Sequence, residues 1–194
     1  RGPGERRAAI VGRGGGAMVH FLKHHDPQLK LDVVEIDPVV VRVADEYFQT
    51  RTEGNVRVIN QDALQFLQQH GHRYEVIYMD AFLQSSDTTD MAGVPLHLKT
   101  AQFFEQVQAR LTAGGSVVFN LHRHRNHNED VRAIRAAFPQ AYVFRVPTRG
   151  NVIVIASMIE TRLRRRTLQR RAAELDRTSD GGFSFQELVK HVAR

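Results

Sequence analysis

An α/β fold, a mostly parallel sheet with helices on both faces, is the architecture this sequence predicts, on three observations. Apolar runs alternate with helix-like segments across residues 8–138, the pattern of successive strand-helix-strand units. The first run, Ala8-Ala9-Ile10-Val11, breaks into Gly12-Arg13-Gly14-Gly15-Gly16. A buried strand that turns through glycines into a helix brings bare backbone N–H groups close to a ligand. The last two runs, 141–146 and 151–156, are joined only by Pro147-Thr148-Arg149-Gly150. So short a connection cannot carry a crossover between parallel strands, so this pair is an antiparallel hairpin.

Each element has its own signals. Parallel strands are expected at 8–11, 31–34, 56–59, 74–79 and 116–121. The first helix, 17–24, follows the glycines directly. The second, 38–48, has Asp37 to cap it and Pro38 at its first helical position, where a missing N–H costs nothing. A third is expected at 62–69, a fourth at 98–111 with Gly114-Gly115 as its stop, and a fifth at 129–138. Five parallel strands and a closing hairpin make a sheet of seven.

A chain of 194 residues with 42% apolar content buries one sizeable core. No apolar run approaches the ~20 residues a bilayer span needs, and no signal-peptide stretch opens the chain, so a cytoplasmic protein is expected. The absence of cysteine excludes a disulfide framework, a thiolate metal site and a cysteine nucleophile. The net charge of +6 suggests nucleic acid until it is located. Residues 161–194 hold nine Lys/Arg against four Asp/Glu, which leaves the body nearly neutral. The arginines at 162, 164, 165, 166, 170 and 171 then read as a solvated helix face, and nucleic acid is not the expected partner. Two segments follow, a catalytic domain over 1–160 and a basic helical extension over 161–194. Because residue 1 is Arg, the chain is expected to begin inside a longer product, with 1–5 as a linker remnant.

Glu35, Asp62 and Asp80 fall at the carboxyl ends of expected strands, where open α/β sheets bind ligands. The loop Gly12-x-Gly14-x-x-Ala17 also fits the dinucleotide pattern. The closing hairpin gives the chain a resemblance to the Rossmann-like class I S-adenosylmethionine-dependent methyltransferase fold, with strand order 3-2-1-4-5-7-6. Together with Asp62 and Asp80 it favours a sulfonium nucleoside over NAD. Glu35, Asp37, Asp62, Asp80, Asp87 and Asp90 crowd one edge, and such an edge attracts cations, which both a sulfonium and a protonated amine are.

Four motifs in order, Ile10-Val11-Gly12-Arg13-Gly14-Gly15-Gly16, Val34-Glu35-Ile36-Asp37-Pro38, Asn60-Gln61-Asp62-Ala63 and Tyr74-Glu75-Val76-Ile77-Tyr78-Met79-Asp80, resemble those of the spermidine synthase (polyamine aminopropyltransferase) family. The resemblance covers about 8–156. It implies decarboxylated S-adenosylmethionine as cofactor and an amine as acceptor. By position it places Gly12, Gly14 and Gly16 along the amino-acid and ribose portion, Glu35 on the ribose hydroxyls and Ile36 on the adenine face. Asp62 and the Ala63 backbone would receive the adenine amino group. Asp80 would orient the amine and accept its proton. A carboxylate suits two hydroxyl donors, and an apolar side chain suits a flat ring.

The match loosens after Asp80. The family carries an Asp-Ser-Ser-Asp-Pro type loop whose second Asp binds substrate, whereas this chain reads Asp80-Ala81-Phe82-Leu83. Either Asp87 or Asp90 folds back to replace that acid, or the acceptor is not a diamine. The family's N-terminal β-rich domain does not precede the glycine loop in this sequence: either it lies outside these residues, or the protein is a trimmed relative, whose open acceptor face would suit a larger acceptor such as a protein side chain. Val94-Pro95-Leu96-His97-Leu98-Lys99-Thr100 and Phe103-Phe104 resemble a divergent, spermidine-synthase-like branch.

Aminopropyl transfer to an amine is the first reading and methyl transfer from S-adenosylmethionine the second. A methyltransferase needs a donor for the cofactor's carboxylate, and Arg13 is the candidate. An NAD dehydrogenase stands third, and a silent module binding RNA or an acidic partner through the arginine tail is the non-enzymatic alternative. No metal is expected. His122, His124 and His127 alternate with arginines that repel a cation, although His122 directly follows a strand and reaches toward the site edge. The resemblance also implies a homodimer or a tetramer, with no interface legible in the sequence.

Overall fold

The fold is read from a computed structural model that describes residues 5–69, 71–83, 86–146, 150–179 and 181–193. Seven strands form one sheet: β1 (Arg7–Val11), β2 (Lys30–Glu35), β3 (Val56–Asn60), β4 (Tyr74–Met79), β5 (Leu111–His122), β6 (Gln140–Arg145) and β7 (Asn151–Ser157). Their order is β3-β2-β1-β4-β5-β7-β6. The first five are parallel, and β7 runs antiparallel to both β5 and β6. The hairpin is therefore present, although residues 147–149 of its connection lie outside the described residues, as do 1–4 of the expected linker.

Helices α1 (Ala17–His25), α2 (Pro38–Phe48), α3 (Ala63–Gln69), α4 (Ala101–Arg110) and α5 (His127–Ala137) join the strands. Asp37 caps α2 as expected, its side chain accepting Val39 N–H at 2.8 Å. Every other residue of each strand goes to one of two cores, because strand side chains alternate between faces. Ala8, Ile10, Leu31 and Val33 pack with Val19 of α1 on one face. The larger core, on the other, joins Ile77, Val117 and Val154 to Phe66, Phe103, Val107 and Ile134 from α3, α4 and α5.

Two expectations need correction. The fourth helix does not run unbroken from 98 to 111: a 3-10 turn at Leu96–Lys99 precedes α4, and the two are separated at Thr100. Thr100 has extended backbone (φ −84°, ψ 156°), and its hydroxyl accepts Phe103 N–H at 3.2 Å, which makes it the cap of a new helix. Nor do Gly114-Gly115 end α4. Leu111 already pairs with Tyr74, and the next matched pair is Ser116 with Val76, so the glycines occupy an irregularity within β5.

After β7 the chain forms α6 (Arg165–Thr178) and α7 (Phe185–Lys190). Beyond α7 it returns to the sheet edge, where Ala193 N–H donates to Val143 carbonyl at 2.7 Å and Arg145 N–H to His191 carbonyl at 3.3 Å. The otherwise open edge of β6 is thereby covered. Among the described residues, no helix is long and apolar enough to cross a membrane.

Candidate active site

Strand register builds the site before any side chain is considered. Val11 lies opposite Val34 in β2 and Met79 in β4, Glu35 opposite Asn60, and Met79 opposite Phe119 in β5. The residues at the next register position, Gly12, Glu35, Asp80 and Asn120, therefore stand in one row along the carboxyl edge. A cleft of about 560 Å³ opens over that row. Its lining includes every residue expected to hold the nucleoside: Gly12, Gly14, Gly16, Glu35, Ile36, Asp62, Ala63 and Asp80.

Gly12 is required by close approach and by conformation. Its φ is +91°, and a Cβ there would lie 2.1 Å from the Asp80 carbonyl oxygen. Gly16 repeats the requirement against Thr50, with φ +81° and a Cβ that would meet Thr50 Cγ2 at 2.1 Å. The loop can thus pass tightly between β4 and the end of α2 only as bare backbone.

Glu35 is 8% exposed and already fixed. Its Oε2 accepts Arg13 N–H at 2.9 Å and its Oε1 accepts Asp37 N–H at 3.0 Å. A carboxylate has about four lone-pair sites, so each oxygen keeps one directed elsewhere. Ile36 beside it is 46% exposed, an apolar face presented to the cleft. Asp62 both caps a helix and faces the cleft. Its Oδ1 accepts Leu64 and Gln65 N–H at 2.9 and 3.1 Å, while its Oδ2 lies 2.9 Å from His97 Nε2.

At the end of β4, Asp80 Oδ1 accepts a hydrogen bond from Asn120 Nδ2 at 2.7 Å, and Asn120 Oδ1 accepts one from Asn151 Nδ2 at 2.8 Å. This chain fixes the carboxylate across three strands. Phe82 lines the cleft and lies against His122, with ring centroids 4.3 Å apart. Asn120, His97 and Lys99 carried no role in the sequence reading. Asn120 was findable, since it sits on the strand expected beside Asp80, but nothing local marks the His97 contact.

Three expected roles meet a different geometry. The Arg13 guanidinium turns inward, donating to Val41 carbonyl at 2.8 Å and Thr50 Oγ1 at 3.1 Å, so it supports α2 rather than facing a cofactor carboxylate. Burial pulls its pKa down, against the raising influence of Asp45 and Glu35. Asp87 is exposed and does not line the cleft. Asp90 is turned inward instead, its Oδ1 accepting Ala92 and Val94 N–H at 2.8 and 2.9 Å and its Oδ2 lying 2.6 Å from Lys99 Nζ. Of the histidines, His124 Nε2 lies 3.1 Å from Asp130 Oδ2, and His127 bonds the His124 carbonyl. Asp90, His124 and Asp130 bring ligand-type atoms within 4.8 Å of one another. The Lys99 ammonium bonds both of these carboxylates and puts a positive charge among them.

Comparison with known proteins gives this geometry a family. The model of the spermine/spermidine synthase domain matches residues 2–167. The chain belongs to the spermine/spermidine synthase family. A polyamine aminopropyltransferase of Vibrio vulnificus is 30% identical over 177 residues, which is 89% of this chain and 57% of that protein. The human eEF1A lysine and N-terminal methyltransferase is 30% identical over 179 residues, 87% of this chain and 25% of that protein. The chain thus spans little more than half of one relative and a quarter of the other. Among solved structures, human methyltransferase-like protein 13 in complex with SAH superposes with a TM-score of 0.80 at 27% identity, covering 89% of this chain and 81% of that one. The sheet order β3-β2-β1-β4-β5-β7-β6 is the one expected of a class I methyltransferase-like fold. The chain's relatives divide between two alkyl transfers, one to polyamines and one to protein amines by their names.

Proposed function

We propose that this chain binds a sulfonium nucleoside of the S-adenosylmethionine type and transfers an alkyl group from it to an amine. The supporting observation is the row of Gly12, Glu35, Asp62 and Asp80 around a single cleft, with Glu35 immobilised by two backbone N–H groups. Glu35 takes the ribose hydroxyls, Ile36 the adenine face, and Asp62 with Ala63 the adenine amino group. Asp80, held by Asn120, orients the amine. The amine nitrogen's lone pair forms the new N–C bond as the C–S bond breaks. The electron pair of that bond passes to sulfur, and the ammonium proton passes to Asp80 and on to water. A neutral thioether leaves readily, so the enzyme's contribution is in-line placement and an unprotonated nucleophile.

Aminopropyl transfer from the decarboxylated nucleoside is the leading form. The Arg13 side chain is committed to Val41 and Thr50, and the cleft wall carries Glu35, Asp37, Asp62 and Asp80. A donor lacking its own carboxylate suits such a wall. Methyl transfer is the second form, supported by the 0.80 TM-score to a methyltransferase and by Leu83 in place of the family's second loop acid. Calorimetric titration with S-adenosylmethionine, its decarboxylated form, methylthioadenosine and NAD tests both. Tighter binding of the decarboxylated form, lost in Glu35→Ala, is expected. Tighter binding of S-adenosylmethionine selects methyl transfer, and binding of neither nucleoside overturns the proposal.

A further inference from the structure

The inward turn of the loop after β4 has a chemical consequence for the acceptor. Lys99 Nζ lies 2.6 Å from Asp90 Oδ2 and 2.6 Å from Asp130 Oδ1. The three side chains are only 19%, 9% and 13% exposed. A carboxylate pair that grips a primary ammonium at such distances is an alkylammonium site by its own geometry. It also adjoins the reacting edge. A small, mainly apolar cavity of about 40 Å³ is lined by Lys99, Asp130, Ala81, Leu98 and Asn120. Ala81 and Leu98 line the nucleoside cleft as well, and Asn120 holds Asp80.

A diamine that reacts at one nitrogen carries a second, protonated nitrogen, and burying it beside the reacting edge requires a carboxylate with charge to spare. We propose that Lys99 is the built-in occupant of that second-ammonium position and restricts the acceptor to amines with a single basic nitrogen. This rests on the reading of Asp80 as the residue that holds the reacting amine. Asp90 then acts by fixing Lys99, while Leu83 stands where the family's resemblance places a substrate-binding acid. The reaction is unchanged: N–C forms, C–S breaks, and the proton leaves through Asp80.

The test uses the chain itself and two variants, Lys99→Met, which keeps the aliphatic stem, and Lys99→Arg, which keeps the charge. Affinity for diaminobutane and for butylamine is measured with and without methylthioadenosine, alongside the thermal midpoint. The unsubstituted chain and Lys99→Arg are expected to show no preference for diaminobutane. Lys99→Met should prefer it by about tenfold, the worth of one charge-assisted hydrogen bond, and should be stabilised by it more than by butylamine. A tenfold preference in the unsubstituted chain, or a folded Lys99→Met without one, overturns the proposal. Should Lys99→Met fail to fold, the unsubstituted chain decides alone by the same criterion. Failure of methylthioadenosine to bind sinks the nucleoside reading separately, because stabilisation of Lys99→Met by diaminobutane is read without nucleoside.

Discussion

At the scale of single residues, the same side chain often serves the fold and the site. Asp80 is one terminus of a hydrogen-bond chain through Asn120 to Asn151, which holds its carboxylate at the cleft. Asp80→Asn should lower kcat about a hundredfold, the usual worth of a positioned proton acceptor, and leave the thermal midpoint nearly unchanged. Steady-state kinetics beside a melting curve checks both. Asp32 serves the fold alone. It is 3% exposed and accepts from the Tyr74 hydroxyl at 2.7 Å and from Arg57 Nε at 2.9 Å. Burial and the Asp32 carboxylate hold the Tyr74 phenol above its ordinary pKa. Tyr74→Phe leaves that carboxylate one donor short and should cost about 2 kcal/mol in urea denaturation, with nucleoside affinity unchanged.

At the scale of elements, the 3-10 turn at Leu96–Lys99 connects two regions the sequence had kept apart. His97 reaches Asp62 in the cleft, and Lys99, two residues on, reaches Asp90 and Asp130. Burial pulls the Asp90 pKa upward, but the Lys99 hydrogen bond and the Val94 and Ala92 N–H groups outweigh it and leave it below the ordinary carboxylate value. Lys99 shows the converse. Burial pulls it down, and the bonds to Asp130 and Asp90 raise it above the ordinary amine value. A carboxylate with a depressed folded pKa stabilises the fold above its unfolded value and loses that contribution as pH falls through the folded one. The stability gap between the unsubstituted chain and Asp90→Asn should therefore be full near neutrality and shrink below pH about 4. Thermal melts across a pH series measure it.

At the scale of the molecule, the cleft and the basic tail are separate constructions. Among the described residues, no cleft-lining residue lies beyond Leu98, whereas His191 and Ala193 of the tail hydrogen-bond to β6. Deleting residues 162–194 should leave the nucleoside affinity intact. It should also lower the thermal midpoint and promote self-association, because the β6 edge is then unpaired. Calorimetry and light scattering on the truncated chain read the two effects. The arginines of α6 at 165, 166, 170, 171 and 177 are exposed, and only Arg170 approaches an acid among the ion pairs of the described residues, Glu174 at 4.0 Å.

What the sequence determined by itself was periodic or local. Alternation of apolar runs defined the strands, the Pro147 to Gly150 connection implied the hairpin, and Asp37-Pro38 marked the start of α2. The glycine row and the acids Glu35, Asp62 and Asp80 were legible because each must follow a strand at the carboxyl edge. Only the tertiary structure decided the long-range partners: that Arg13 braces Thr50, that Asp90 binds Lys99, and that Asn120 holds Asp80. Which long polar side chain satisfies a buried carboxylate depends on how far it reaches across the finished fold, and spacing along the chain does not encode that distance.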